Sequence, residues 1–233
     1  MNQAMAIVYQ LMNLFSEVVF VRHGNTLPKK DFPHDRDRTL TKKGVEQCRR
    51  ANSGWWTFFK DRQGCAMLAD VLRVQESYNL VTHDPTGFVT KKVPALYFGD
   101  EQYQRLGLYP WWEDEFAKLG YKPLFTYLQD DSTGARYNYM NQYAECAFKG
   151  IWHAEAELDA SVLKNDPLPT LLVFGHDMNN QMLATYILMH WHDLHPFARA
   201  KMITELMSVN MGEACAFSLS RRGLVWHNIP TVE

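Results

Sequence analysis

The sequence predicts a three-layer α/β domain built on a mostly parallel central sheet, and two observations carry that expectation. Two short β-branched or aliphatic runs, Glu17–Val21 (EVVFV) and Leu171–Phe174 (LLVF), read as buried strands, and both run directly into a histidine, at His23 and His176. Stretches of helical period lie before, between and after them, the alternation expected of helices packed on the faces of a parallel sheet. At 233 residues the chain has enough material for one substantial core, and no Ser/Gly linker, repeat or low-complexity tract divides it, so a single domain over 1–233 is expected.

Taken in order, Ala4, Ile7, Val8, Leu11, Leu14 and Phe15 recur at helical spacing and predict an amphipathic packing helix ahead of the first strand. Thr41 to Phe59 reads as a helix capped by Thr41, with Val45, Cys48 and Ala51 on one face. Ala66 to Val71 reads as a strand, Arg73 to Asn79 as a helical turn, and Met178 to Trp191 as a further helix. Glu213 to Leu219 and Leu224 to Ile229, joined through Arg221-Arg222-Gly223, predict a terminal hairpin. The interval 81–139 is rich in aromatics, Gly and Pro without a clean period and is expected to be an insertion over the active face, where specificity usually resides.

A hydrophobic share of 46% and a charged share of 21% are those of a folded globular chain. With 24 Lys+Arg against 26 Asp+Glu the formal net charge is -2, so no global basic field is available to gather nucleic acid or an anionic membrane, and an anionic substrate has to be held by local cations. Cys48, Cys65, Cys146 and Cys215 form no C-x-x-C pair, which argues against a zinc site or a disulfide framework and for a reducing, cytoplasmic setting. The apolar start of the chain lacks a basic n-region and a cleavage site, and no run of 18 apolar residues predicts a membrane span.

Open parallel sheets bind ligands at the carboxyl ends of their strands, which is where both histidines are delivered. Phosphoryl transfer through histidine needs a neutral imidazole as nucleophile, cations for the phosphate oxygens and an acid for the departing oxygen. Arg22-His23-Gly24 supplies the first two, with Arg22 able to fork onto phosphate oxygens and Gly24 permitting close backbone approach, while His176 is suited to hydrogen-bond the same group.

Four ordered segments, VVFVRHGNT (18–26), LTKKGVEQCRRA (40–51), VLRVQES (71–77) and LLVFGHD (171–177), together with the distal VNMGEACAFSLSRRGLVWHNIP, resemble the histidine phosphatase superfamily, chiefly its phosphoglycerate mutase-like branch. The resemblance implies a phosphoglycerate mutase-like α/β/α fold and metal-independent hydrolysis of small phosphomonoesters through a phosphohistidine on His23, without a cofactor. It assigns phosphate binding to Arg22, Arg73 and His176, and we add Asn25 in the same loop. A mutase-type phosphotransferase and a catalytically silent phospho-ligand binder are the alternatives. The acid by the mutase-like pattern is Glu101 in YFGDEQYQRLG, which is preferred; by the acid phosphatase pattern it is Asp177, directly after the second histidine, and Asp100 ranks third. The chain departs from both branches, with Asn25 and Lys29 where the mutase-like loop has Glu or Gln and Asn, and Thr26 where the acid phosphatase loop has Arg. No nucleic-acid or membrane partner is expected, and a homodimer is left open.

Three features invite over-reading. His190, His192 and His195 point apart on a helix that Pro196 interrupts, which opposes shared metal ligation. His83-Asp84 lacks any accompanying motif and reads as a loop pair, and Lys29 and Lys30 read as solvated lysines. Of the two tryptophan pairs, Trp111-Trp112 is a better candidate for a pocket wall than Trp55-Trp56 because it lies in the insertion.

Overall fold

The computed structural model describes the chain except for residues 1–2, 60–61, 83–86, 100, 121, 130–133, 158–167 and 228–233, and of residues 3–4 and 56–59 it describes the backbone alone. The strands are β1 (Glu17–Arg22), β2 (Gly64–Ala69), β3 (Phe88–Val93), β4 (Thr170–Gly175), β5 (Ala216–Ser220) and β6 (Gly223–His227), joined in one sheet in the order β3-β2-β4-β1-β5-β6. The first four run parallel to one another, and β5 and β6 add an antiparallel edge. The helices, in chain order, are α1 (Gln3–Leu14), α2 (Lys42–Phe59), α3 (Leu72–Thr82), α4 (Glu101–Arg105), α5 (Leu108–Leu119), α6 (Leu124–Leu128), α7 (Ala135–Ala156), α8 (Asp177–His190) and α9 (Pro196–Ser208).

The path of the chain decides which face each helix covers. From β1 to β2 and on to β3 the chain steps in one direction along the sheet through α2 and α3, which pack on each other; from β3 back to β4 it steps the other way through α7. Parallel crossovers are right-handed, so the reversal puts α2 and α3 on one face and α7 on the other, where it contacts α1 and α8. All of β2 and β4 and the middle of β1 are buried, as continuous apolar runs covered on both faces have to be. Each Val, Leu or Phe so buried contributes about 1.5–3 kcal/mol.

The expected elements are present, with ends shifted by up to three residues, and helix α3 is longer than the turn expected there. Thr41 caps α2 as read, its Oγ1 accepting from the Gly44 N–H at 3.0 Å. The insertion needs one correction, because it opens with strand β3, which pairs in parallel register with β2. At this edge only Phe88 and Val93 of FVTKKV are buried, so the strand lacks the apolar run by which the central strands announce themselves. Asn228 and Ile229 of the expected hairpin, and His83-Asp84, lie outside the described residues. Among the described residues no helix is long and apolar enough to cross a membrane.

Candidate active site

Strands β1 and β4 are neighbours in parallel register, with Arg22 opposite Gly175. His23 and His176 each come one residue later, so strands about 4.8 Å apart deliver two imidazoles side by side; the ring centroids lie 4.9 Å apart at 76°. The chain leaves β1 for one face of the sheet and β4 for the other, and at such a switch point the loops diverge and leave a crevice. The crevice here is a cavity of about 590 Å³ lined by both histidines and by Arg22, Arg38, Arg73 and Asp177.

The loop carrying His23 is held from beneath by helix α2. A Cβ on Gly24 would lie 2.7 Å from the Gly44 carbonyl oxygen, and one on Gly44 would lie 2.1 Å from that of Asn25, so the loop and the helix touch backbone to backbone only because both residues are glycine. The Gly24 N–H donates to Ser77 Oγ at 3.1 Å, and Ser77 in turn donates to the Arg73 carbonyl at 2.7 Å, which links the His23 loop to the helix carrying Arg73. On the other side the Ala214 N–H donates to the His23 carbonyl at 3.1 Å, with Ala214 in the left-handed region at φ 53°.

His23 Nδ1 lies 2.7 Å from the Gly24 carbonyl oxygen, which can only accept, so Nδ1 carries the proton and Nε2 keeps its lone pair. Burial and the neighbouring Arg73 and Arg22 guanidinium groups push the His23 pKa down to about 3. His176 is driven well below its usual range by the same burial and by Arg73, and its Nε2 is buried without a hydrogen-bond partner. Both rings are therefore neutral near pH 7, the state that attack on phosphorus requires of one of them.

Arg73, 4% exposed, donates through its two terminal nitrogens to the Asp35 carbonyl at 2.6 Å and to Asp35 Oδ2 at 2.8 Å, and lies 5.7 Å from the Tyr97 ring centroid. Asp35 also accepts from Arg38 at 2.9 Å and from the Tyr97 hydroxyl at 2.7 Å, and the two arginines with the tyrosine hold its carboxyl at about 2 against the opposing effect of burial. Arg22 donates to the Met211 carbonyl and lies 3.9 Å from Asp177 Oδ2, while Asp177 Oδ1 accepts from the Met211 N–H at 2.7 Å. Asn25 lines the cavity with both ends of its amide engaged, accepting from Thr41 Oγ1 at 2.8 Å and donating to Glu213 Oε1 at 2.7 Å.

Arg22, His23, Asn25, Arg73, His176 and Asp177 are thus brought together, and Glu101 is not. Its side chain on α4 is 81% exposed and pairs with Arg105 at 3.0 Å, one turn along the same short helix, outside the cavity lining. The preferred acid, Glu101, is therefore not beside the two histidines, whereas the alternative, Asp177, lines the cavity with them; Asp100 lies outside the described residues. Asp35, Arg38, Tyr97 and Glu213 also line the cavity and were not singled out in the sequence. The charge alternation Asp35-Arg36-Asp37-Arg38 soon after the nucleophile was the one available signal for two of them.

Lys29, read as a solvated lysine, stands at the cavity mouth, 3.1 Å from Glu113 and 3.3 Å from the Tyr109 hydroxyl. Trp112 lines the cavity, whereas Trp111 stacks on Tyr139 at 4.5 Å and Trp55 is buried in the core. His190 packs on Tyr186, His192 meets Arg199, and His195 caps α9 by accepting from the Phe197 N–H, so each serves a separate contact.

No family model and no curated protein matches the chain. Among solved structures it is similar to the native structure of a mycobacterial glucosyl-3-phosphoglycerate phosphatase, at 15% identity over 91% of this chain and 95% of that one, with a TM-score of 0.51. It is similar also to a second mycobacterial protein, described as hydrolase 2, at 15% identity over 94% of this chain and 93% of the other, again with a TM-score of 0.51. The chain accordingly has the α/β fold of the phosphoglycerate mutase-like histidine phosphatases, the fold its sequence resemblance implied.

Proposed function

We propose that the chain hydrolyses phosphomonoesters through a phosphohistidine on His23. The observation that carries this reading is the pair of neutral imidazoles lying side by side in a cavity whose wall holds Arg22, Arg38 and Arg73. His23 Nε2 attacks phosphorus as the bond to the departing oxygen breaks, and Asp177 supplies the proton that this oxygen needs. Water then attacks the phosphohistidine, returns a proton to Asp177 and releases phosphate with His23 restored. Arg22 and Arg73 hold the charge spread over the transferring oxygens, and His176, through its unpartnered Nε2, holds the third. These groups supply the positive charge the reaction calls for, and we propose no metal ion.

Hydrolysis is favoured over a mutase by the far end of the cavity. A mutase has to hold a second anionic group on its substrate while the phosphoryl group is returned. Lys29, the lysine lining the mouth, is already paired with Glu113, which leaves that end without net positive charge. His23→Ala should abolish turnover of p-nitrophenyl phosphate, and brief incubation of the unaltered protein with radiolabelled substrate should leave acid-labile phosphate on His23. Turnover surviving the substitution, with EDTA present to remove contaminating metalloenzymes, overturns the proposal.

A further inference from the structure

Part of the cavity wall is aromatic. It is formed by Tyr97, Phe98, Tyr109, Trp112 and Phe116, with Met178 beside His176. The wall begins at the phosphate end, where the Tyr97 ring lies 5.8 Å from that of His176, and continues through Phe98 and Trp112, whose ring centroids are 5.6 Å apart, to Phe116 at the mouth, 39% exposed.

The two hydroxyls of this wall are committed within the protein. Tyr97 donates its hydroxyl hydrogen to Asp35 at 2.7 Å, and the Tyr109 hydroxyl accepts from Lys29 at 3.3 Å beside Glu113. What the two tyrosines offer the cavity is ring surface. A leaving group rich in hydroxyls would surrender its water hydrogen bonds there without replacing them, whereas a flat apolar one would lose nothing and cover ring surface on entering. The paired Lys29 and Glu113 give a second anion no net attraction at the mouth.

We infer that the substrates are phosphomonoesters whose leaving group carries an aromatic or similarly flat apolar face near the ester oxygen, in preference to phosphorylated sugars, polyols or glycerates. This rests on the phosphatase reading above and adds to it the class of leaving group.

The test compares benzyl phosphate with glycerol 1-phosphate, both esters of primary alcohols, so that the chemistry of the departing oxygen is similar and the wall is what differs. A preference for benzyl phosphate of about tenfold or more in kcat/KM, equivalent to ~1.4 kcal/mol, is expected. Phenylphosphonate should likewise inhibit more tightly than methylphosphonate by a similar factor. Phe116→Ala, at a surface position that folding tolerates, and Trp112→Ala should each shrink the preference, chiefly by raising KM for benzyl phosphate. Equal or reversed preference, with turnover that still depends on His23, overturns the inference and leaves the phosphatase reading intact. Release of phosphate from neither ester by folded protein overturns both.

Discussion

Replacing His23 by glutamine tests the electrostatics of the site without requiring any substrate. In the unfolded chain a histidine takes up a proton near pH 6.5, whereas in the folded protein His23 does so only at about pH 3. Between these values the unfolded state binds a proton that the folded state does not, so stability falls as pH falls. The contribution is level above about pH 6.5 and lost progressively below it. From about pH 7.5 to about pH 5 the loss assignable to His23 is about 2 kcal/mol, taken at 1.36 kcal/mol per unit once the unfolded histidine is fully protonated. Glutamine cannot titrate, so the His23→Gln protein should lose about 2 kcal/mol less over the same interval; His176 still contributes in both proteins, because burial and Arg73 depress it more than His23 does. Urea unfolding followed by tryptophan fluorescence, repeated across this range, reads the difference directly. Parallel stability curves for the two proteins would show that His23 is not held neutral beside Arg22 and Arg73, and the nucleophile assignment would lose its physical basis.

Two further predictions concern the acid and the packing of the nucleophile loop. Asp177→Asn should depress kcat for esters of poor leaving groups by about 10²-fold or more while sparing p-nitrophenyl phosphate, whose phenolate departs without a proton, and Glu101→Gln should leave both esters unaffected; the reverse pattern would restore Glu101. Gly44→Ala places a methyl group 2.1 Å from the Asn25 carbonyl oxygen. It should destabilise the fold by about 1–3 kcal/mol and weaken inhibition by inorganic phosphate, because the loop bearing His23 has to move. Thermal unfolding with and without phosphate checks both effects, and an unchanged melting temperature refutes the close contact.

The sheet's core strands and the two histidines at their ends were legible in the local sequence. Continuous apolar runs that end at Arg22-His23 and Gly175-His176 are local signals, and a parallel sheet places strand ends on one edge wherever its helices run. Arg73 was legible only through resemblance, since nothing in VLRVQES distinguishes a buried cavity arginine from a surface one until the fold places it at 4% exposure. Strand β3 was hidden because an edge strand buries little and carries its lysines outward.

Which carboxylates reach the cavity, and the cavity's shape, could be read only from the folded chain. Glu101 stands at a plausible distance along the chain, but which way a side chain faces in an aperiodic segment depends on how α4 sits against the core, and α4 turns it to water. The grip of Asp35 on Arg73 and the bond from Asn25 to Glu213, residues 188 positions apart, arise from loops that meet only after the sheet has formed. Local pattern reports what a residue buries within its own helix or strand; which distant residues share a cavity is set by the order of strands and the direction of their crossovers.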